Sequence, residues 1–332
     1  MLSKLLGAFH SPKRAEDSVS GGPRVSIVII SYNMAREVPR TVLSFLPPHQ
    51  RHIQNEDVEI IVLENGSSVP IPNEVRSSWP DNVRYIEVED PKPSPAYALN
   101  YGVSLARGDI VCPVIDGARM ASPGLVSTAL RALEYSEQAF VASIGLHLGS
   151  KLQQHAVNEG YNQQVEDELI SSINWPDDGY RLFEICAPAG SSSSAWFGAI
   201  AESNAPFLRK SLYESIGGYD ERFDIPGGGL VNLDFLSRLT RRSDADYFLV
   251  AGEATFHQFH GGVTTSRHVQ LQEPDGETTW EKYAGQYANI RGEPYQHPTR
   301  RPTLFGSFPP EAARLAARVL EYIANERENR KK

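Results

Sequence analysis

Several residues of this chain are of types that could hold a phosphate-bearing ligand. Arg119 stands three residues after Asp116, and a guanidinium group matches the geometry of a phosphate. His257 and His260 stand just before Gly261-Gly262, and the glycine pair indicates a loop in which backbone can approach a phosphate closely. These two segments are far apart in the sequence, so only a fold could bring them together.

The first half of the chain predicts alternating strands and helices that could position such groups. Mostly apolar runs typical of strands are Val25–Ser31, Glu59–Leu63, Ile110–Ile115 and the more alternating Val83–Val88. Ser94-Pro95 predicts a helix start and Gly108 its end, and Ser122-Pro123 predicts a second start. Strands alternating with helices indicate a doubly wound α/β domain, whose ligands bind at the carboxyl ends of the strands.

The second half is less regular. Residues 146–205 carry weak periodicity, which favours functional loops over a linker. Order returns with helices predicted around Leu208–Ile216 and Leu230–Arg241, and Pro310 opens an amphipathic C-terminal helix.

Composition excludes some functions. The 332 residues hold 32 Lys+Arg against 41 Asp+Glu, and this net charge of −9 argues against a nucleic-acid partner. A single diphosphate needs only a local basic patch, so a nucleotide ligand stays open. Cys112 and Cys186 are too few for a disulfide framework or a thiolate metal site. No apolar stretch reaches the roughly 20 residues that a membrane span needs. We expect a cytoplasmic protein, with a weak contact of Met1–Phe9 at a membrane surface left open.

Six motifs in a fixed order resemble an inverting family 2 glycosyltransferase with the GT-A fold, a Rossmann-like mixed sheet flanked by helices. They are VSIVIISYN, EIIVLENGSS, ALNYGVSLARGDIVCPVIDGA, SIGGYDERF, a glycine-rich turn into NLDFLSRL, and FHQFHGG. The resemblance covers about Val25 to Gly262. It implies transfer of a sugar from a nucleoside diphosphate sugar, the donor, to a glycan or small-molecule acceptor.

The resemblance implies a nucleotide-binding role for residues in the first half. Ser31, Tyr32 and Asn33 end the first strand, where a base and ribose could lie. Glu64 stands where the family usually has an aspartate that bonds the nucleotide, although a carboxylate there could instead organise the turn. Asn100 matches a polar position that faces the donor, with an exposed helix residue as the alternative.

The family's DXD motif, whose carboxylates hold a divalent cation at the donor diphosphate, is incomplete in this chain. The aligned residues are Asp116-Gly117-Ala118, so the second carboxylate is absent. Two explanations compete. Asp116 and a histidine could hold Mn²⁺ or Mg²⁺, with His257 as the first candidate and His260 as the second. Alternatively, Arg119 could provide the counter-charge of the diphosphate.

The catalytic base also departs from the family, which places a carboxylate after the glycine-rich turn. Here Asn232 takes that position, and an amide cannot act as a base at neutral pH. Asp234 is therefore our predicted base, although it could equally form a helix ion pair with Arg238. Glu202 is the second candidate, as base or acceptor contact. Asp220 and Glu221 are further alternatives.

These inferences combine into one predicted enzyme. We expect residues 1–23 to be a flexible leader, 24–135 the nucleotide-sugar half, 136–295 the acceptor and catalytic half, and 296–332 a helical tail. Trp196, Glu202 and Asn204 are predicted to contact the acceptor, since aromatic faces suit sugar rings. A non-catalytic sugar-nucleotide binder is the alternative. A dinucleotide-dependent oxidoreductase is disfavoured because no Gly-x-Gly-x-x-Gly follows the first strand.

Overall fold

The computed structural model describes residues 22–261 and 276–329 of the chain. Residues 1–21 of the expected leader, Gly262 of FHQFHGG and the terminal residues 330–332 lie outside the described part. Within it, no helix combines the length and the apolar character needed to cross a bilayer.

The described residues form one mixed sheet with helices on both of its faces. The strands are β1 Val25–Ser31, β2 Val58–Glu64, β3 Val83–Glu87, β4 Ile110–Val114, β5 Arg119–Ala121, β6 Ala139–Leu148, β7 Cys186–Pro188, β8 Phe207–Arg209, β9 Asp246–His257 and β10 Thr303–Gly306. The helices are α1 Val38–Ser44, α2 Asn73–Arg76, α3 Ala96–Ser104, α4 Leu125–Leu133, α5 Gln153–Ala156, α6 Gln163–Ser172, α7 Lys210–Ser215, α8 Val231–Arg241, α9 Thr279–Arg291 and α10 Pro310–Asn329. The sequence predicted the first four strands, and each is present.

The sheet order is β10-β9-β6-β8-β4-β1-β2-β3, with β5 paired to β9 and β7 paired to β6. Strands β1 to β4 are mutually parallel. Strand β8 runs antiparallel to both β4 and β6, which makes the sheet mixed. This architecture, a mixed sheet flanked by helices, confirms the predicted α/β, GT-A fold class.

Strand β1 shows why these sequences form covered strands. Val25, Ile27 and Ile29 pack into the core on one face with helices α1 and α4. Val28 and Ile30 pack into the core on the other face, with α3 and α8. A strand that is buried on both faces needs apolar residues at nearly every position, and the predicted β-branched runs supply them.

Residues 146–205 contain only short regular elements, namely the end of β6, helices α5 and α6, strand β7 and several single turns. The weak periodicity of this stretch in the sequence is therefore a property of its structure. The proposed division of the chain at residues 135 and 295 stays a prediction, because all strands join one sheet.

Candidate functional site

The turn after β4 places Asp116 beside the end of β1. A Cβ atom on Gly117 would lie 2.1 Å from the carbonyl oxygen of Ile30, so only glycine allows this close approach. Asp116 Oδ1 accepts a hydrogen bond from the backbone N–H of Ala118 at 3.1 Å, and Oδ2 accepts one from Arg119 Nε at 3.2 Å. The carboxylate is thereby held at the carboxyl end of the parallel strands.

Both predicted histidines reach this carboxylate. His257 Nε2 lies 3.1 Å from Asp116 Oδ2, and His260 Nε2 lies 3.5 Å from Asp116 Oδ1. The two Nε2 atoms are 3.2 Å apart. Within the described residues, Asp116, His257 and His260 form a group whose ligand atoms all lie within 4.8 Å of one another. The fold thus joins the two segments that the sequence kept apart.

Strand pairing explains how these side chains share a face of the sheet. Arg119 on β5 is the register partner of His257 on β9, which is the register partner of His147 on β6. Directly opposed residues on paired strands project to the same side. The sheet therefore places one arginine and two histidines in a row beside Asp116.

Burial and the neighbouring charges shift the pKa values of Asp116 and of the two histidines in this row. Although burial opposes ionisation of Asp116, His260, His257 and Arg119 hold the pKa of this carboxyl well below its usual range. Burial and the charge of Arg119 lower the pKa of His257 to about 4. Burial, His257 and Arg119 likewise lower the pKa of His147. At neutral pH the site therefore holds a carboxylate beside a neutral His257.

Gln153, in helix α5, orients His257. Its Oε1 lies 2.5 Å from His257 Nδ1, and its Nε2 donates to the carbonyl oxygen of His257 at 3.0 Å. If Nδ1 donates to Gln153, a neutral His257 has no proton on Nε2, and this atom, beside Asp116 and His260, could then ligate a cation. The buried Glu166 supports this loop by accepting a hydrogen bond from Phe259 N at 2.8 Å.

These groups fit a divalent cation. One carboxylate and two imidazole nitrogens converge, His257 is neutral, and its second ring nitrogen has an orienting partner, as metal-binding histidines usually do. Mixed nitrogen and oxygen ligands suit transition metals such as Mn²⁺ better than Mg²⁺, which prefers oxygen. The structure thus brings together the predicted Asp116 and His257 and adds His260.

Arg119 is also poised for an anion. It is 6% exposed, and its Nη1 has no hydrogen-bond partner among the described residues. Nη1 and Asn204 Nδ2 each lie 3.6 Å from the position that a Cβ atom of Gly145 would occupy. The missing side chain at Gly145 leaves space between Arg119 and Asn204. An unsatisfied guanidinium N–H at such a gap is suited to a phosphate oxygen.

The predicted nucleotide residues at the ends of β1 and β2 lie close together. Glu64 accepts hydrogen bonds from Ser31 Oγ at 3.2 Å, from Tyr85 Oη at 3.0 Å, and from both the N–H and the hydroxyl of Ser67. Both carboxylate oxygens are thus occupied, which favours the alternative that Glu64 organises the turn. Its contact with a nucleotide stays a prediction.

Tyr32 and Asn33 lie on the surface beside this turn. The Tyr32 side chain is 54% exposed, so its ring is free to stack on a base. Asn33 adopts a φ of 53°, and its Oδ1 accepts hydrogen bonds from the N–H and the hydroxyl of Ser68, both at 2.9 Å. Asn33 therefore joins the ends of β1 and β2.

The side-chain contacts of Asn100 favour a structural role, and its contact with the donor stays a prediction. Its Nδ2 donates to Tyr219 O and to Glu221 Oε1, both at 2.8 Å. Its Oδ1 accepts from Tyr213 Oη at 2.6 Å and from Tyr219 N at 3.0 Å. With two donors and two acceptors used, Asn100 ties helix α3 to the turn before Glu221.

Trp196 is only 2% exposed, which does not favour the predicted contact of its ring face with an acceptor. Its ring packs edge-on against Phe308, with centroids 5.0 Å apart. Its Nε1 donates to the carbonyl oxygen of Glu253 at 3.1 Å. Trp196 is a core residue whose one polar atom is satisfied.

Asp234 is fully buried and its carboxylate is shared by two arginines. Oδ2 accepts from Arg238 Nε at 2.8 Å and from Arg291 Nη2 at 2.7 Å, and Oδ1 accepts from Arg291 Nε at 2.6 Å. These contacts match the ion pair with Arg238 that the i, i+4 spacing allowed. The geometry does not favour Asp234 as the base.

Asn232, which stands at the family's usual base position, contacts Glu202. Its Nδ2 donates to Glu202 Oε2 at 2.8 Å and to Asn204 Oδ1 at 3.3 Å. The structure therefore brings the predicted acceptor residues Glu202 and Asn204 to the start of helix α8.

Sequence analysis missed the residues that support the site. These residues are Gln153, Glu166 and His147. They lie within residues 146–205, where no periodic pattern or motif distinguishes them. His147 could have been found only from the register of β6 with β9, which is a tertiary property.

Comparisons with known proteins agree with the family resemblance. The family model Glycosyl transferase family 2 matches residues 26–169, which contain β1 to β6 and the Asp116 turn. This match agrees with the family 2 glycosyltransferase resemblance that the motifs carry in this part of the chain. No curated protein matches the sequence.

Solved structures give a weaker likeness. S. aureus TarS shares 12% identity at a TM-score of 0.48, over 72% of this chain and 37% of TarS. TarS 1-349 in complex with UDP-GlcNAc shares 12% identity at a TM-score of 0.49, over 80% of this chain and 67% of that one. The complex with UDP gives 12% and 0.46, over 71% and 60%. This chain thus spans little more than a third of full-length TarS, and these values support no assignment of site residues.

Proposed function

We propose that this chain transfers a sugar from a nucleoside diphosphate sugar to an acceptor hydroxyl, with inversion at the anomeric carbon. The observation that carries this proposal is the convergence of Asp116, Arg119, His257 and His260 at the carboxyl ends of parallel strands. A doubly wound sheet binds its ligands at this edge. The cluster offers both a cation site and a guanidinium group, which are the two means of binding a diphosphate.

In this proposal the donor nucleoside lies across the ends of β1 and β2. Tyr32 offers an exposed ring for the base, and Asn33, Ser31 and Glu64 hold the turn that carries it. Arg119 donates its unpartnered Nη1 to a diphosphate oxygen. A diphosphate oxygen at this position would therefore accept a hydrogen bond from Arg119 Nη1, which has no partner among the described residues.

Asp116, His257 and His260 would hold the cation, for which Mn²⁺ is our first choice and Mg²⁺ the second. When bound, such a cation offsets the negative charge that grows on the departing diphosphate. Arg119 and the cation would then both bind the diphosphate. A cation held by Asp116 and the histidines is therefore compatible with Arg119 as a second counter-charge.

Because Trp196 is buried, its ring is not available to the acceptor. The acceptor would instead bind beside Glu202 and Asn204, at the gap left by Gly145. Residues 24–135 would supply most donor contacts and residues 136–295 the acceptor side. A cytoplasmic location, with contact of the leader at a membrane surface, belongs to the same proposal.

A non-catalytic sugar-nucleotide binder is the second candidate. Ala118 stands at the second DXD carboxylate and Asn232 at the usual base position. A protein that had lost catalysis could keep the cluster around Asp116 and bind a nucleotide without turning it over.

A binding screen tests donor recognition first. The purified chain is titrated in a calorimeter with UDP-, GDP-, CDP- and dTDP-sugars, each with 1 equivalent of Mn²⁺, Mg²⁺ or chelator, where about micromolar to millimolar affinity is typical of enzyme substrates. We expect one nucleotide class to bind, more tightly with Mn²⁺. Absence of binding by every class would overturn the proposed function.

A further inference from the structure

We propose that Glu202 is the catalytic base of this chain, and that Asn232 holds its carboxylate in place. This inference rests on the proposed function, since it assigns the proton transfer that an inverting reaction needs. It replaces the base expected at the start of helix α8 with a carboxylate from a separate segment of the chain.

The contact between the side chains of Asn232 and Glu202 supports this assignment of the base. Asn232 Nδ2 donates to Glu202 Oε2 at 2.8 Å, so the carboxylate of Glu202 stands next to the position of the expected base. Asn232 is itself fixed, because Tyr219 Oη donates to its Oδ1 at 3.3 Å. An amide in this place can donate a hydrogen bond to a carboxylate, whereas an aspartate at neutral pH would repel it.

The segment that carries Glu202 is anchored on β6. Ser203 Oγ accepts a hydrogen bond from Ser143 N at 3.0 Å, and both serines are buried. Asn204 lies at the Gly145 gap, across from the guanidinium of Arg119. Asn232 donates to Glu202 Oε2 and also to Asn204 Oδ1 at 3.3 Å, so Glu202 is linked through Asn232 to the gap beside Arg119.

Glu202 keeps one oxygen for the reaction. Among residues 22–261 and 276–329, Glu202 Oε2 accepts a hydrogen bond from Asn232, and no hydrogen bond or ion pair is found for Oε1. The carboxylate is half-buried. Asp234, in contrast, is fully buried and bonded through both oxygens to arginines. Compared with Asp234, Glu202 is the candidate whose carboxylate can meet a hydroxyl group.

The reaction balances with these groups. The acceptor hydroxyl oxygen attacks the anomeric carbon and forms the new C–O bond, and its proton passes to the free carboxylate oxygen of Glu202. The bond from the anomeric carbon to the diphosphate oxygen breaks, and its electron pair leaves with the nucleoside diphosphate beside Arg119. Attack on the face of the anomeric carbon opposite to the departing diphosphate produces inversion.

Four proteins test this assignment: wild type, Glu202→Gln, Asn232→Asp and the double variant. The probe is the nucleotide-sugar that binds best in the screen, and the readout is nucleoside diphosphate release in the presence of Mn²⁺ with water or sugar acceptors. General base catalysis contributes roughly 10²–10⁴-fold, so we expect Glu202→Gln to lose about that factor in turnover. Its donor affinity should stay within about threefold of wild type.

The double variant separates a missing base from a damaged site. It places a carboxylate at residue 232 and an amide at 202, so it should recover at least tenfold in turnover over Glu202→Gln. Glu214→Gln, an exposed glutamate on helix α7, is the matched control.

Two outcomes would overturn the assignment while leaving the proposed function intact. One is a Glu202→Gln turnover within threefold of wild type, and the other is a lost turnover that the double variant does not recover although it binds the donor normally. If wild type binds no nucleotide-sugar, the proposed function itself fails, which the screen reveals before any variant is compared.

Discussion

Asn232 donates a hydrogen bond from Nδ2 to Glu202 Oε2 over 2.8 Å, joining the first turn of helix α8 to a segment 30 residues earlier. The family resemblance expects a carboxylate at residue 232. The structure shows that a carboxylate is nevertheless present at this place, contributed by a different part of the chain. An asparagine at residue 232 is therefore compatible with catalysis.

Replacement of Arg119 should weaken donor binding. Charge-assisted hydrogen bonds contribute roughly 1.5–3 kcal/mol, so Arg119→Ala should raise the Kd for the nucleoside diphosphate about 10- to 100-fold. Calorimetric titration at saturating Mn²⁺ measures this change. Arg241→Ala, which removes an exposed arginine paired with Glu293, is the control and should bind normally. An unchanged Kd for Arg119→Ala would exclude Arg119 from the diphosphate site.

Loss of a histidine at the site should weaken cation binding. His257→Ala and His260→Ala each remove one nitrogen from the group with Asp116, so we expect Mn²⁺ affinity to fall at least about tenfold. Electron paramagnetic resonance of free Mn²⁺ reports the bound fraction. His52→Asn is the control, since asparagine tolerates the positive φ of His52. Equal Mn²⁺ affinity in all three variants would place the cation elsewhere.

Asp234 should matter for stability more than for chemistry. Asp234→Asn leaves Arg238 and Arg291 without their buried carboxylate, and loss of such a partner costs roughly 3–5 kcal/mol in the free energy of unfolding. Urea denaturation measures this cost. Asp244→Asn, at an exposed ion pair with Arg242, should leave the free energy of unfolding nearly unchanged. A stable Asp234→Asn protein with turnover reduced by orders of magnitude would instead support Asp234 as base.

Glu253 should make stability depend on pH. Burial raises its pKa to about 6 from 4.5, although Ser122, Tyr180 and the N–H of Gly124 stabilise the charge. Between these two values the folded protein holds a proton that the unfolded chain has released, so the free energy of unfolding falls as pH rises from about 4.5 to 6. The expected loss is about 2 kcal/mol.

The variant Glu253→Gln isolates this effect, because its amide can keep the contacts with Ser122 and Tyr180 but cannot titrate. Other groups titrate equally in both proteins, so the comparison rests on their difference. The free energy of unfolding of Glu253→Gln minus that of wild type should increase by about 2 kcal/mol from pH 4.5 to pH 7, because only the wild type loses stability through Glu253. A difference that stays constant over this range would contradict the raised pKa of Glu253.

The fold was predictable from the sequence because its signals are local. The run Val25–Ser31 is apolar at nearly every position, and such a run fits few structures besides a strand covered on both faces. Asp116, His257 and His260 could be proposed because they lie in motifs with a fixed order. Their mutual distances, however, depend on the pairing of β5 with β9, which no local pattern encodes.

The acceptor side was less predictable for physical reasons. Trp196 is as suitable for a core as for a sugar-binding surface, and only its packing against Phe308 decides between the two. Asn100 has a polar side chain whose partners come from residues more than 100 positions away. Glu202 acquires its proposed role through Asn232, again a contact between distant segments.

The most direct test of the account is the release of nucleoside diphosphate from the bound nucleotide-sugar by the wild-type protein. Chromatography measures the product over time with Mn²⁺ and a panel of glycan and small-molecule acceptors, and proton NMR reports the configuration of the new glycosidic bond. We expect many turnovers per protein molecule with at least one acceptor, and inversion at the anomeric carbon. Tight binding of the nucleotide-sugar with no release across the panel would contradict catalysis and favour a non-catalytic binder.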